Sequence, residues 1–322
     1  MKCLTAAPPA EILAAYAQRF GSHPQPAYVT PSFPIARVLI SHRQDRFALV
    51  THPDHGRLAG ALGEHWGNER FAPVTARDAL LDAAAHHDDG WSELDDRPVF
   101  NADAGRPAHF LEVPLPDTVG PYGRGVDRVY ARSVHAGALV SMHWAGLYRT
   151  RWGLSDGEPV GHPAASEVVA EQERRWIAAL REAWGGRGRR SAFEAQAWHA
   201  YEVLQALDCF SLAICLLDLE HPSGDEQAVP ISATLPHVVQ PPGGRLVPRV
   251  PCADGGDAVD VRIWVSAPGE VALEPYPLSR SGVEVELPVR SLEARRYGSD
   301  GEAAAAFHDA PVQTLAVRIA AG

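Results

Sequence analysis

Several histidines and aspartates fall where helical spacing predicts buried apolar residues. His55 shares a stripe with Leu58 and Leu62, and His143 shares one with Val140 and Leu147. His87 and Asp88 extend the stripe of Leu80 and Ala84. Asp208 stands in line with Ala197, Tyr201, Leu204, Ser211 and Cys215. A carboxylate on such a face costs roughly several kcal/mol, or shifts its pKa, unless something neutralises it. Two carboxylates and several inward imidazoles neutralise one another around a cation, and nitrogen and oxygen ligands suit iron, manganese or zinc. The plainer alternative is a hydrogen-bonded core histidine, with Asp208 capping backbone or pairing with an inward Arg. Four helices that each offer a His or Asp on the buried face fit that alternative less well.

The elements that must position these residues follow from patterning. The chain has 322 residues, 46% hydrophobic and 21% charged, which fits an ordinary globular protein. Residues 1–35 read as a Pro-interrupted extension with a short helix over Ala10–Phe20. Ala36–Ser41 and Phe47–Val50 flank the polar turn His42–Arg46 and predict a hairpin. Helices are expected over Asp54–Trp66, from an N-cap at Thr75 to Asp89, over Gly125–Arg149 in two pieces, and over Ser166–Trp184 and Ser191–Leu217. Arg97–Tyr122, rich in Pro and Gly, reads as a long loop. From about His221 the texture changes. Val259, Val261, Ile263 and Val265, then Val283, Val285 and Leu287, then Leu315, Val317 and Ile319, alternate with polar neighbours as half-buried antiparallel strands do. The expected fold is α+β. A mainly helical domain (36–220) is followed by a smaller antiparallel β module (221–322), which the early hairpin joins.

Composition excludes several functions. A net charge of −11 disfavours nucleic acid and anionic membrane as partners. No apolar run approaches the roughly 18–20 residues of a membrane span, and no signal-peptide pattern opens the chain. Cys3, Cys209, Cys215 and Cys252 show no CxxC spacing, so reduced, inert thiols in a cytoplasm are expected. The sequence has no P-loop lysine, no G-x-S-x-G and no dinucleotide fingerprint. A small-molecule substrate remains.

The run His87-Asp88-Asp89-Gly90 resembles the H-D-x-G signature of the histidine–aspartate (HD) superfamily of metal enzymes. That superfamily is all-α, with ligands ordered His, His-Asp, one or two His, then Asp. His55, His87, Asp88, His109, His143 and Asp208 stand here in that order. A closer resemblance is to the bacterial domain-of-unknown-function 3891 family, from about Arg37 to the C-terminus. It rests on Asp54-His55 with Leu58-Ala59-Gly60, His65-Trp66-Gly67-Asn68, His87-Asp88-x-Gly90-Trp91, Ser141-x-His143 with Leu147-Tyr148, and Asp208-x-x-Ser211-Leu212.

The resemblance implies one or two ions, iron first, with manganese or zinc as alternatives. His55, His87, Asp88 and Asp208 would hold the first ion. Asp88 would bridge to a second, held by His143 and His109. His65, Asn68, His86, Trp91, Tyr148 and Ser211 would support these ligands or face the substrate. Trp91 stands where many relatives carry a lysine that holds an anionic substrate. Indole offers a flat apolar wall and one N–H, so a small, weakly charged substrate is expected. Arg97, Arg106, Arg124 and Arg128 are the other cations considered. The expected activity is that of a di-iron oxygenase or oxidase. A metal-dependent (phospho)hydrolase is the first alternative, and a non-catalytic, metal-stabilised binding protein is the second.

Overall fold

The polar pair Gln44–Asp45 closes the predicted hairpin. It joins β1 (Leu39–Arg43) to β2 (Arg46–Val50), with Arg43 opposite Arg46. Gln44 takes a left-handed φ of 50°, the conformation that tight hairpin turns demand. A computed structural model describes residues 38–95, 100–224, 228–252 and 257–322. The expected helix Ala10–Phe20 and Arg97 lie outside those residues.

The protein is mixed α/β. Strands β3 (Arg245–Pro251), β4 (Ala258–Ala267), β5 (Glu270–Glu274), β6 (Val283–Glu293) and β7 (Val312–Ala321) follow in the chain. They form one eight-stranded sheet in the order β1-β2-β6-β7-β5-β4-β3, ending on the two-residue strand Val229–Pro230. The early hairpin joins this sheet where Ala48 faces Ser291. The alternation holds: Val261, Ile263, Val265, Val283, Leu287, Val317 and Ile319 are buried, while Asp260, Glu284 and Glu286 are exposed. The sheet departs from the antiparallel expectation in two pairings. Strand β7 inserts between β5 and β6, pairing antiparallel to β6 and parallel to β5, with Ile319 opposite Val271. Because β5 and β6 run in opposite senses, a strand placed between them must run parallel to one. Val229–Pro230 also runs parallel to β3.

The helices carry most of the polar stripes. Helix α1 (His52–Gly63) begins at Thr51, whose hydroxyl accepts from Asp54 N, and Pro53 sits in its first turn. Helix α2 (Arg77–His86) begins after Ala76 without a side-chain cap, so Thr75 does not play the expected role. It also ends earlier than expected. His87 is its C-cap, Asp88 leaves helical geometry (φ −110°, ψ 15°), and a 3-10 turn spans Asp89–Trp91.

The expected loop Arg97–Tyr122 is wrong over about its last third, where α3 (Leu115–Arg132) begins. Pro114 is its N-cap and Pro116 lies in the first turn, where no backbone N–H is required. Pro121 is carried inside the helix, which buries Tyr122, Val126 and Val129. Ser133 then caps α4 (Val134–Leu147), and α5 (Pro163–Trp184) and α6 (Arg190–Leu216) follow. Helix α6 packs against α1, α2 and α4 and also against β1, β3 and β4. One buried cluster therefore joins Leu204, Phe210 and Ile214 to Val247, Val261 and Ile263. Among the described residues no helix is long and apolar enough to cross a membrane.

Candidate metal centre

Four helices bring the polar stripes together. His55 lies one turn into α1, His87 at the end of α2, His143 in α4 and Asp208 in α6. All four are at most 3% exposed. The turn after Asp88 lies directly on α3, and glycine makes that approach feasible. A Cβ on Gly90 would lie 2.5 Å from Tyr122 Cα, and one on Gly125 would overlap Gly90 N. The close approach lets Tyr122 Oη donate to Asp88 Oδ1 at 3.0 Å.

Hydrogen bonds fix which atom each imidazole presents. His87 Nδ1 donates to Ala84 O at 2.9 Å, since a carbonyl only accepts. Its Nε2 is buried and has no partner in hydrogen-bond geometry. That atom lies 3.5 Å from Asp88 Oδ2 and 3.4 Å from Asp208 Oδ1. Ser211 Oγ donates to Asp208 O at 2.9 Å and so accepts from His55 Nδ1, also at 2.9 Å. His55 Nε2 then faces Asp208 Oδ1 at 3.0 Å and Asp88 Oδ2 at 3.8 Å. An imidazole lone pair against a carboxylate oxygen is repulsive unless a proton or a cation stands between them.

The spacing fits an ion. Bonds of about 2.0–2.2 Å put neighbouring ligand atoms roughly 3.0–3.5 Å apart, close to the separations here. Two overlapping groups, His55/His87/Asp88 and His87/His143/Asp208, each offer ligand atoms within 4.8 Å of one another. The donor set of two imidazoles and two carboxylates, with His143 adjoining, suits iron, manganese or zinc.

Charge is balanced by an arginine as well. Arg151 Nη1 donates to Asp208 Oδ2 and to Gln205 Oε1, both at 2.6 Å. Asp208 thus has the inward-Arg partner that the sequence left open, in addition to its imidazole neighbours. Gln205, oriented by Arg151, donates from Nε2 to His143 Nδ1 at 2.7 Å. Burial and the cationic His87 beside it depress the His143 pKa to about 3. Burial opposes charge on His87 too, but Asp88 and Asp208 outweigh it and raise the pKa to about 9. Burial also disfavours the Asp208 carboxylate, yet Arg151 and the two imidazoles hold its pKa well below the usual range. A proton on His87 and the Arg151 guanidinium therefore offset the two carboxylates.

The other sequence-predicted residues lie in varied places. Ser211 orients His55. His109 is fully buried but belongs to neither group; its Nδ1 accepts from Leu111 N at 3.4 Å, capping a short 3-10 turn. His65 is part-buried, and its backbone oxygen accepts from Ser279 N. Asn68 ties its loop to Tyr276 O and Leu278 O. His86 faces outward and pairs with Asp89 at 2.9 Å. Tyr148 Oη accepts from Trp144 Nε1. Trp91 stacks on His52, with ring centroids 4.4 Å apart. Arg106 is paired with Glu112, and Arg124 and Arg128 with Glu93.

Sequence reasoning missed Tyr122, Arg151, Gln205 and a buried pair, His52–Asp95 at 3.1 Å. Two signals were available: His52 precedes His55 by three residues, and Gln205 precedes Asp208 by three. Both spacings share a helical face. Arg151 sits on a turn with no periodicity to read.

The family described as "Protein of unknown function (DUF3891)" matches residues 38–294 through its family model, most of the chain, so the chain belongs to that family. No curated protein and no solved structure matches the chain.

Proposed function

We propose that this member of the DUF3891 family is a metal-dependent enzyme whose helical layer is HD-like. His55, His87, Asp88 and Asp208 would hold one ion. The observation that carries the reading is the buried, unpartnered Nε2 of His87 between two carboxylates, with His55 Nε2 turned to the same point. An ion there supplies a water acidified toward neutrality, or a redox centre if the ion is iron.

The chain's own residues hold the ligands for that role. Ala84 O and Ser211 fix the two imidazoles, Tyr122 holds Asp88, and Arg151 holds the outer oxygen of Asp208. Hydrolysis of an ester or phosphoester of a small molecule is the reaction we favour, because this ligand set serves one ion. Oxidation at two irons is the second reading. His143 beside His87 and Asp208 favours it, and the absence of His109 from both groups weighs against it.

Elemental analysis of protein purified without chelators tests the proposal. We expect one equivalent of iron, manganese or zinc per chain, lost in His87→Ala. Phosphoester turnover with manganese supports hydrolysis, and oxygen consumption by an iron-loaded, coloured sample supports oxidation. Failure to retain any of the three metals after loading removes the reading altogether.

A further inference from the structure

Thr150, Arg151 and Trp152 form a left-handed turn, with φ of 52°, 50° and 55°. Left-handed backbone costs a non-glycine residue roughly 1–2 kcal/mol, so three in succession require compensation. Trp152 Nε1 anchors the turn on Met142 O at 3.1 Å. The turn carries the Arg151 guanidinium to Asp208 and Gln205, and only Nη1 serves those two bonds. Its Nε and Nη2 donate to no described residue.

Those donors belong to a residue that lines a cavity of about 40 Å³. Leu154, Ile231, Leu235 and Val247 contribute apolar walls, and the lining also holds Ser232, the carboxylate of Glu202 and a second cation, Arg249. A second polar group lies near this turn. Tyr201 Oη is buried without a partner and abuts Gly146, as does the Trp152 ring. A guanidinium with two unused donors beside apolar walls matches an oxyanion on an apolar stem, because its fork bonds a carboxylate or phosphate through paired N–H groups. The cavity has room for a small headgroup.

We propose that Arg151 is the anion-binding residue of this site. Its Nε and Nη2 receive the carboxylate or phosphate of a small organic acid, while Nη1 keeps Asp208 and Gln205 in place. The catalytic meaning of this contact rests on the metal-enzyme reading; the anion site itself does not. This differs from the weakly charged substrate expected from Trp91, whose ring stacks on His52.

Binding of butyrate, butyramide and inorganic phosphate to the full chain tests the proposal, by calorimetry with and without metal. Wild type should bind at least one anion tenfold or more tightly than neutral butyramide. Arg151→Gln should abolish that preference, and Arg151→Lys should restore part of it. Leu235→Trp, which fills the cavity and leaves Arg151 unchanged, should block butyrate. It also keeps the test valid if Arg151→Gln fails to fold. Tighter butyrate assigns a carboxylate, and tighter phosphate assigns a phosphoester. Equal affinity for butyrate and butyramide with no phosphate binding, or unchanged anion binding in a folded Arg151→Gln, overturns the proposal. Anion binding by a chain that retains no metal would sink the enzyme reading alone. Metal retention without anion preference would sink only the anion site.

Discussion

The sheet and the helical layer share one buried cluster but fill it differently. On the sheet, Val261, Ile263, Val265, Val283, Leu287, Val317 and Ile319 are at most 1% exposed and apolar. Among the helices, positions at most 3% exposed hold His55, His87, His143 and Asp208. Burial of an aliphatic side chain is favourable by itself, roughly 1.5–3 kcal/mol each. Burial of an imidazole or carboxylate is unfavourable until a partner offsets it. At these strand positions burial therefore reports stability, while the sheet's own buried cations, Arg43 and Arg245, donate to the carbonyl oxygens of Cys215 and of Gly243 and Gly244. In the helical layer burial reports a requirement for a ligand, a proton or a counter-charge.

The sharpest way to break this contrast is a pair of variants. Ile263→Ala should lower stability by about 2–5 kcal/mol through lost contacts and a cavity, with metal stoichiometry unchanged. His87→Ala should weaken metal affinity by at least about 100-fold, beyond the roughly 10–100-fold seen when a residue behind a ligand is removed. Denaturant melts and metal titrations of both variants would show it. Equal loss of metal in the two would mean that the cluster depends on the packing as a whole, not on its own ligands.

Protons give the next largest effect. In metal-free protein His87 is raised from 6.5 to about 9, burial opposing and Asp88 and Asp208 prevailing. A raised pKa contributes stability that is full below the unfolded value and lost as pH rises through the folded one. Chelated protein should therefore lose at most roughly 3 kcal/mol between pH 6.5 and 9. Metal-loaded protein should not show this loss, since the metal takes the neutral imidazole. Melting curves across that range, with and without chelator, would check it. A pH-independent chelated protein would mean that His87 carries no extra proton.

Ser211 separates support from ligation. It accepts from His55 Nδ1 and touches neither carboxylate side chain. Ser211→Ala should weaken metal binding roughly 10–100-fold, less than His87→Ala, with the fold retained. A change under threefold would mean that helix packing alone holds the His55 ring.

Legibility in the sequence follows the same division. The strands alternate in Val, Ile and polar residues, and one face is buried, so period two carried through to the structure. The stripes of His55, His87 and Asp208 were readable because 3.6-residue periodicity survives a polar substitution. Helix α3 was hidden by Pro116, Pro121 and nearby glycines. Those prolines are tolerated at the first turn and on a helix held by Tyr122, Val126 and Val129, a tertiary effect that local rules miss. The parallel β7–β5 pairing depends on where a strand inserts, which no strand's own pattern records. Arg151 was invisible because its orientation comes from a left-handed turn, not from a helix or strand period.

The smallest effect is expected at His109, and it decides how far the histidine-rich region extends. His109 is as buried as His55, and its Nε2 also lacks a partner. Yet its Nδ1 caps the turn over Phe110–Glu112, and its backbone N–H donates to Glu112 Oε2 at 2.7 Å. Burial, reinforced by Arg106 and His52, drives its pKa to about 3, and the nearby Glu112 carboxylate does not prevail as Asp88 does for His87. Those are the marks of a structural histidine. Asn accepts at an N-cap as well as any residue, so His109→Asn keeps the cap and removes Nε2. We expect metal stoichiometry unchanged and affinity altered by less than about threefold, which is under roughly 0.7 kcal/mol. Loss of one of two bound equivalents in that variant would place His109 on a second ion. The cluster would then extend past His52 and Trp91 toward the 3-10 turn, and oxidation at two irons would become the leading reading.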